Sequence, residues 1–425
     1  LDNQQASLEF AKTGRTRRFT EHVVLSAMRT WLLQDYVLPY CRTLAASRIY
    51  RRCYWIDAWG GDTRTFVAGT ENGAQPQPAK GRKKEIAAAL PAVLQPVVAL
   101  SAELAQEQRP IALNGIMLVP VSGMHSRRKT AANNTDTVLT VPKESGLMRG
   151  DWLEAAPVLL KTIESSPAIF LLNPFGTTLF THDALTSLYQ RTTAPTEVCL
   201  LIPHKSAELR LLAAARTAEG AAHLTLLLRS DRWKGLLSQH EENKGNGAKE
   251  GKETTPFIDS FIELYVAAMQ RHFLTVQRLV FPVVAGPASI ETVPYSLLFA
   301  TRSKESLLRM NDAVCLYRRR IMEERYKGTL NETWFVQQHQ ERLAEEQQEL
   351  YQHVLQQGRS QRTRRWPDLR QQLLLAQFGS YPVREYDATI SKLIADGMVR
   401  CEWKRPLSGE AEMRVPENED MLLWR

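Results

Sequence analysis

The chain has 425 residues, of which 24% are charged and 44% hydrophobic, a composition typical of a soluble protein of two or three domains. Lysine and arginine outnumber aspartate and glutamate by 54 to 46, and the resulting charge of +8 is compatible with a nucleic-acid partner. No run approaches ~18 apolar residues, so neither a membrane span nor a signal peptide is predicted. The five cysteines are scattered and odd in number, which favours a reducing cytoplasm, and no metal site is predicted from them or from the histidines.

The chain is expected to begin with a basic, flexible arm at residues 1–19, which ends in an arginine-rich run. A helical pattern of apolar residues follows from Thr20, and Pro39 is expected to end it. This helix opens the largest predicted domain, an α/β domain of the Rossmann-like type that covers residues 20–305.

The first motif is a predicted strand, Arg52–Asp57, followed by a glycine-containing turn. A carboxylate and a glycine loop at a strand end are typical of a nucleotide-binding sheet, because glycine lets the backbone approach a ligand closely. The loop has neither the dinucleotide-binding nor the P-loop pattern, so it indicates a phosphate site only weakly. S-adenosylmethionine carries no phosphate and therefore tolerates a looser glycine loop. An ordinary strand-loop turn is the alternative. The predicted cofactor-binding residues here are Asp57, Trp59, Gly60 and Gly61.

Asp151 stands before a predicted helix and about 20 residues ahead of the second motif. In a methyltransferase-type fold a polar residue in this region commonly contacts the adenine of the cofactor. Aspartate is equally suited to cap the helix that begins at Trp152, and the two roles are compatible.

The second motif follows a short apolar strand, Ala168–Leu172, and consists of Asn173, Pro174, Phe175 and Gly176. Ligands of open α/β sheets bind at the carboxyl ends of the strands. The Asn173 carbonyl and the rigid backbone before Pro174 could hold an amino group, while the Phe175 ring could stack on a planar base. Asn173, Pro174 and Phe175 are therefore the predicted catalytic residues. A Pro-Gly turn that ends a buried strand is the alternative.

Further along, His204 follows the predicted strand Glu197–Ile202, where it is either a general base or a surface residue of a turn. Residues 241–255 are polar and glycine-rich, which predicts a flexible insertion. Two β-rich runs, Leu279–Val284 and Tyr295–Ala300, are typical of a closing hairpin.

The C-terminal part is predicted as a helical connector at residues 306–365, almost continuously helical from Leu307 to Gln357, and a winged-helix module at 366–425. The module has two helices and a hairpin formed by Met398–Lys404 and Glu412–Val415. Its second helix carries mixed charges, so nucleic-acid contact and protein docking both stay open. The predicted nucleic-acid-binding residues are Arg362, Arg364, Arg365, Arg384 and Lys392.

The two motifs, in this order, resemble the three-Cys-motif partner family, called TcmP. The family's tyrosine-containing loop resembles Tyr54–Thr63, and its Asp-Pro-aromatic-Gly strand end resembles Asn173–Gly176. A third similarity covers the late strand and helix at Val280–Val283, Pro294–Thr301 and Met310–Ala313. The resemblance implies a Rossmann-like methyltransferase fold and a protein partner of the three-Cys-motif type. Thr63 and Asn173 depart from the family's glycine and aspartate.

These expectations combine into two hypotheses. The first is an S-adenosylmethionine-dependent methyltransferase-like protein that acts on a nucleic-acid amino group, with a duplex base flipped out to reach it. The second is a non-catalytic nucleic-acid- and protein-binding component of a bacterial defence or mobile-element complex.

Overall fold

The computed structural model describes residues 21–59, 92–119, 140–175, 182–245, 255–286, 289–328, 331–361, 364–404 and 414–425. These residues form two compact units. The sheet unit takes its described residues from 19–281 and 294–303, and the helical unit takes them from 282–293 and 304–425. No helix within the described ranges is long and apolar enough to cross a membrane.

A seven-stranded, mostly parallel sheet organises the first part of the chain, which confirms the predicted α/β, Rossmann-like architecture. The strand order is β3-β2-β1-β4-β5-β7-β6. Strands β1 to β5 pair in parallel, and β7 runs antiparallel to β5. The strands are β1 (Arg52–Ala58), β2 (Ala112–Val119), β3 (Gly146–Arg149), β4 (Ala168–Leu172), β5 (Thr196–Pro203), β6 (Thr275–Gly286) and β7 (Ser289–Thr301).

Helices cover both faces of this sheet, because alternate strand residues point to opposite sides and both sets are apolar. Ile56 of β1 and Phe170 of β4 lie in the core of one face, together with residues of several helices. The helices that contribute to this core are α4 (Trp152–Ile163), α5 (His182–Gln190), α6 (His204–Ala215), α7 (Ala218–Leu228), α8 (Arg232–Gly245) and α9 (Thr255–Met269).

The other face is covered by the first helical segment of the described chain. It consists of α1 (Glu21–Trp31), a π-helical stretch at Leu32–Val37 and α2 (Leu38–Ala46). A further helix, α3 (Gln95–Ala105), lies against β2. The expectation that Pro39 ends the first helix is wrong. Pro39 occupies the first turn of α2, where a missing backbone N–H costs little.

One other local prediction needs correction, and one strand was not predicted. The flexible insertion predicted at 241–255 is too long. Its first residues belong to α8, which continues to Gly245, and its last residue, Thr255, begins α9. The edge strand β3 lies at Gly146–Arg149 and was not predicted, because this short segment has none of the β-branched residues that are typical of strands. The predicted closing hairpin is confirmed by β6 and β7.

The helical unit contains two long helices, α10 (Lys304–Tyr326) and α11 (Glu332–Gln361). The predicted continuous helix is therefore interrupted, and Gly328 near the break has a φ of 73°, which glycine adopts without strain. Tyr326 stacks on Phe335 near the break, while Leu307 shares a hydrophobic cluster with Leu350. The two helices therefore run antiparallel.

Two shorter helices, α12 (Trp366–Ala376) and α13 (Val383–Ala395), complete the unit with a two-stranded antiparallel sheet. Its strands are β8 (Val399–Glu402) and β9 (Met421–Trp424). The second strand was predicted at Glu412–Val415, where Arg414 and Val415 are in no strand and Glu412 and Met413 lie outside the described residues. Burial of Leu422 favours the later strand, since it places that side chain in the core. This core also includes α10 and α11 residues, so the predicted connector and C-terminal module share it.

Candidate functional site

The two motifs lie next to each other at the carboxyl edge of the sheet. Strands β1 and β4 are parallel neighbours, and Ala58 pairs with Leu172. Trp59 and Asn173, which follow these two residues, therefore begin adjacent strand-end turns. Ligands of such sheets bind at this edge. Gly60, Gly61, Thr63 and Gly176 lie outside the described residues.

Asp57 is fully buried and forms an ion pair with Arg29 of α1. The Arg29 Nε donates to one carboxylate oxygen at 2.6 Å, and a terminal nitrogen donates to the other at 3.0 Å. The Trp59 backbone N–H also donates to the Asp57 carboxylate, at 3.1 Å. Both oxygens are thus engaged by the protein itself. Asp57 holds α1 and the start of the following loop against β1.

The Trp59 side chain is buried and reaches past β4. Its indole Nε1 donates to the Cys199 carbonyl of β5 at 3.1 Å, and the Arg29 guanidinium lies 5.7 Å from its ring centre. Only 3% of Trp59 is exposed. The residue therefore ties the end of β1 to β5, and any role in cofactor binding would fall to its backbone.

The Asn173 side chain stabilises the turn that this residue begins. Its side-chain Oδ1 accepts a hydrogen bond from the Phe175 backbone N–H at 3.1 Å, the pattern by which asparagine shapes a turn two residues long. Asn173 is half-buried, whereas Pro174 is buried. Asn173 is thus the member of the predicted catalytic trio that reaches the surface.

Phe175 is 1% exposed and packs edge-to-face on Phe261 of α9, with ring centres 6.0 Å apart. In this position the ring has no free face on which a base could stack. The packing anchors the Asn173 turn to the helix layer. A substrate contact by Phe175 would require the ring to leave the core.

Asp151 makes a capping box with Glu154 at the start of α4. Its Oδ1 accepts from the Glu154 N–H at 3.0 Å, and the Glu154 carboxylate accepts from the Asp151 N–H at 3.3 Å. Asp151 therefore caps α4, as one of its two predicted roles required. Asp151 is exposed and follows edge strand β3, two strands from β1, or about 10 Å at the usual strand spacing.

A polar cluster lies beside the carboxyl end of β5. His204 Nε2 is 2.8 Å from the hydroxyl of Ser296 on β7, and this hydroxyl also accepts a hydrogen bond from Arg278 Nε at 3.1 Å. Arg278 in turn pairs with Asp259 of α9. Partial burial lowers the pKa of His204, and the Arg278 charge acts in the same direction. Both effects disfavour the protonated ring, which is half-buried rather than a free surface side chain.

The predicted nucleic-acid residues occupy the helical unit, apart from Arg362, which lies outside the described residues. Arg364 and Arg365 are exposed before α12. On α13, Arg384 and Lys392 are exposed on one stripe with Ala388 between them.

The acidic neighbours of this stripe are paired within the unit. Glu385 pairs with Arg319 at 2.7 Å, and Asp387 pairs with Arg370 at 2.6 Å. The exposed stripe of α13 is therefore basic, although the sequence of this helix carries charges of both signs.

Sequence reasoning missed Arg29, Ser296 and Arg278. A lone arginine in an apolar helix was the one available signal for Arg29. Ser296 and Arg278 meet His204 only through strand pairing, which no local pattern reveals. No cluster of histidine, cysteine, aspartate and glutamate in the described part of the chain could hold a metal ion.

The chain matches no protein-family model, no curated protein and no solved structure.

Proposed function

We propose that this chain is an S-adenosylmethionine-binding, methyltransferase-like protein that acts on an amino group of a nucleic acid. The observation that carries the proposal is the sheet. Its order, β3-β2-β1-β4-β5 followed by β7 and β6, begins with the strand order of Rossmann-like nucleotide-binding sheets, and β7 runs antiparallel to β5. Both strand-end motifs lie at the edge where such sheets bind ligands.

The cofactor would lie across the carboxyl ends of β1, β2 and β3. These ends span about 10 Å, a distance that an adenosyl group can bridge. In this proposal exposed Asp151 contacts the adenine, and the loop that follows Trp59 contacts the methionine part. Asp57 fits a supporting role rather than direct contact, because Arg29 and the Trp59 N–H occupy its carboxylate.

When bound, the cofactor supplies an electrophilic methyl group. The chain's part is to position the acceptor amine, for which partly exposed Asn173 is suited. Transfer to an amine needs no strong base, so proximity and alignment provide most of the acceleration. Buried Phe175 and Pro174 fix the geometry of this turn.

A nucleic acid is favoured as substrate by charge. The chain has a formal charge of +8, and Arg364, Arg365, Arg384 and Lys392 are exposed in the helical unit. Because acidic Glu385 and Asp387 are paired internally, the outer stripe of α13 is basic. Such a stripe binds phosphates with a strong dependence on salt. This basic stripe favours the nucleic-acid alternative for the proposed winged-helix module.

The second candidate is a non-catalytic nucleic-acid- and protein-binding component, with a three-Cys-motif protein or a complex subunit as partner. It is favoured by the internal use of Asp57 and Phe175, whose side chains stabilise the fold and need no ligand. The test must therefore separate binding from transfer.

The test compares the wild type with Asn173→Ala and Asn173→Asp in a transfer assay that uses labelled S-adenosylmethionine with single-stranded and duplex DNA and RNA. Loss of a positioned hydrogen bond in a water-excluded site costs roughly 10²–10³ in rate. We expect that loss in Asn173→Ala with cofactor affinity retained, and substantial activity in Asn173→Asp, which can accept the same hydrogen bonds. Equal activity of folded Asn173→Ala and wild type would contradict the proposed role of Asn173. A wild type that binds cofactor without transfer would favour the second candidate.

A further inference from the structure

A groove of about 890 Å³ runs between α10 and α11 in the helical unit. Its apolar lining includes Ile321 and Met322 from α10 and Trp334 and Leu343 from α11. The Trp334 side chain is 58% exposed, although tryptophan is one of the residues most enriched where proteins associate. The groove therefore offers apolar surface and one large, accessible aromatic ring to a partner.

The first half of α11 has no core of its own. Between residues 332 and 349 no side chain is buried, and the half-buried apolar positions are Phe335 and Leu343. Most helical stability in proteins comes from packing of an apolar face, and two half-buried positions provide little of it. This half of α11 is therefore suited to packing against a further helix.

The arginines that line the groove are already engaged within the helical unit. Their contacts are Arg318 with the Gly379 carbonyl at 3.0 Å, Arg319 with Glu385 at 2.7 Å, Arg325 with the Tyr326 ring centre at 5.1 Å and Arg342 with Glu346 at 3.0 Å. These side chains therefore give no reason to expect an anionic occupant.

The glutamates of α11 that face the groove lack such partners. Glu341, Glu345 and Glu349 line it at four-residue intervals, a spacing at which like charges destabilise a helix. Glu345 and Glu349 make no ion pair or hydrogen bond with any residue that the structure describes. Burial raises the pKa of Tyr381, which also lines the groove, and the negative charge of Glu349 raises it further. The uncompensated charge on the α11 wall is therefore negative.

Trp334 lies on the same face of α11 as these glutamates, since Glu341 and Glu345 follow it at helical spacing. Carboxylates pair with lysine and arginine side chains, and the face of a tryptophan ring attracts the same cations. The stripe that α11 presents to the groove is thus suited to a cationic partner with apolar side chains.

We propose that the groove binds a basic amphipathic helix of a partner protein. Its apolar side chains would pack on Trp334 and the apolar lining, while its lysines or arginines would pair with Glu345 and Glu349. A helix that lays its apolar face in a hydrophobic groove is a recurrent mode of recognition. The added helix would give the first half of α11 the packing that it lacks. A nucleic acid fits less well, because its phosphates would meet the glutamates.

The probe is a fluorescein-labelled synthetic peptide of about 18 residues, about five helical turns, with lysines on one face and leucines on the other. Fluorescence anisotropy measures its binding to the full chain. We expect saturable binding of one peptide per chain at micromolar concentration, weakening as salt is added. The same peptide with glutamates in place of the lysines should not bind. Absence of saturable binding by the lysine peptide, or equal binding of the glutamate peptide, overturns the proposal.

Substitutions in the groove locate the bound peptide. Trp334→Ala should weaken binding at least about 30-fold, the effect typical of a central interface tryptophan. Val336→Ala, at an exposed position of the same helix that does not line the groove, should bind like the wild type.

The charge variant is Glu345→Gln/Glu349→Gln, which should weaken binding roughly three- to tenfold, as expected for two exposed ion pairs, and reduce the salt dependence. Glu402→Gln/Glu419→Gln makes the same charge change at exposed positions outside the groove and should change neither quantity.

Circular dichroism checks that each variant is folded, and Trp334→Ala and the charge variant provide independent results if one of them is not. Binding that is unchanged in the folded groove variants would place the peptide elsewhere and overturn the proposal. Sedimentation velocity of the chain without peptide tests the other occupant. Self-association that Trp334→Ala abolishes would assign the groove to a second copy of the chain and would also overturn it.

Discussion

The buried ion pair between Arg29 and Asp57 allows a quantitative test of the structural role assigned to Asp57. Arg29 is 6% and Asp57 0% exposed, and two guanidinium nitrogens contact the carboxylate at 2.6 and 3.0 Å. Removal of one partner of such a pair leaves an uncompensated buried charge and costs about 3–5 kcal/mol. Arg29→Met should therefore lower the free energy of unfolding by about that amount. The double variant Arg29→Met/Asp57→Leu should cost less than this single change, because apolar replacement of both partners removes the buried charge.

The assay is urea unfolding followed by circular dichroism. The matched control is Arg42→Met, which breaks the pairs of the 47% exposed Arg42 side chain with Glu103 and Glu107 and should cost about 0–1 kcal/mol per pair. If Arg29→Met costs no more than the control, the buried pair does not anchor α1. Asp57 would then be free to act as a direct ligand, and its supporting role would be wrong.

Three further predictions concern packing and pH. Phe175→Ala should destabilise the protein by about 3–5 kcal/mol in the same unfolding assay, since the ring is buried, whereas a ring that only stacks on substrate would leave stability unchanged. Gly358→Ala places a methyl group 2.3 Å from the Trp424 ring and should lower the melting temperature, while Gly235→Ala, with nothing within 4 Å, should raise it; the opposite order would refute the packing. Because the folded state lowers the pKa of His204, the unfolded state binds its proton more readily, and stability should fall as the pH drops below about 6.5; an unchanged pH profile in His204→Gln would contradict this.

The sheet could be predicted because its signals are local. Continuous apolar runs such as Ala168–Leu172 are typical of strands buried on both faces, and the turns after Asp57 and Leu172 mark where these strands end. The parallel pairing of β1 and β4 then brings the two turns together at one edge. Strand β3 was missed because a segment of four residues that includes a glycine shows almost no sequence pattern typical of a strand.

The states of the site residues could not be predicted, because they depend on distant partners. Asp57 at a strand end favours a ligand by sequence, yet Arg29 lies 28 positions earlier and neutralises it. A phenylalanine beside a proline at a strand end suggests an exposed ring that could stack on a base. The Phe175 ring instead packs against Phe261 of α9 in the core. Asp151 was the exception, since the cap depends on Glu154 three residues away, a pattern visible in the sequence.

Calorimetric titration of the full chain with S-adenosylmethionine tests the central claim most directly. The account predicts saturable binding that is abolished in a folded Gly61→Val variant, because a side chain there would obstruct the loop at the end of β1, and retained in Asn173→Ala. Absence of binding by the folded wild type would contradict the cofactor site and leave the sheet as a binding platform. Binding that is unchanged by Gly61→Val would place the cofactor away from the loop after Asp57.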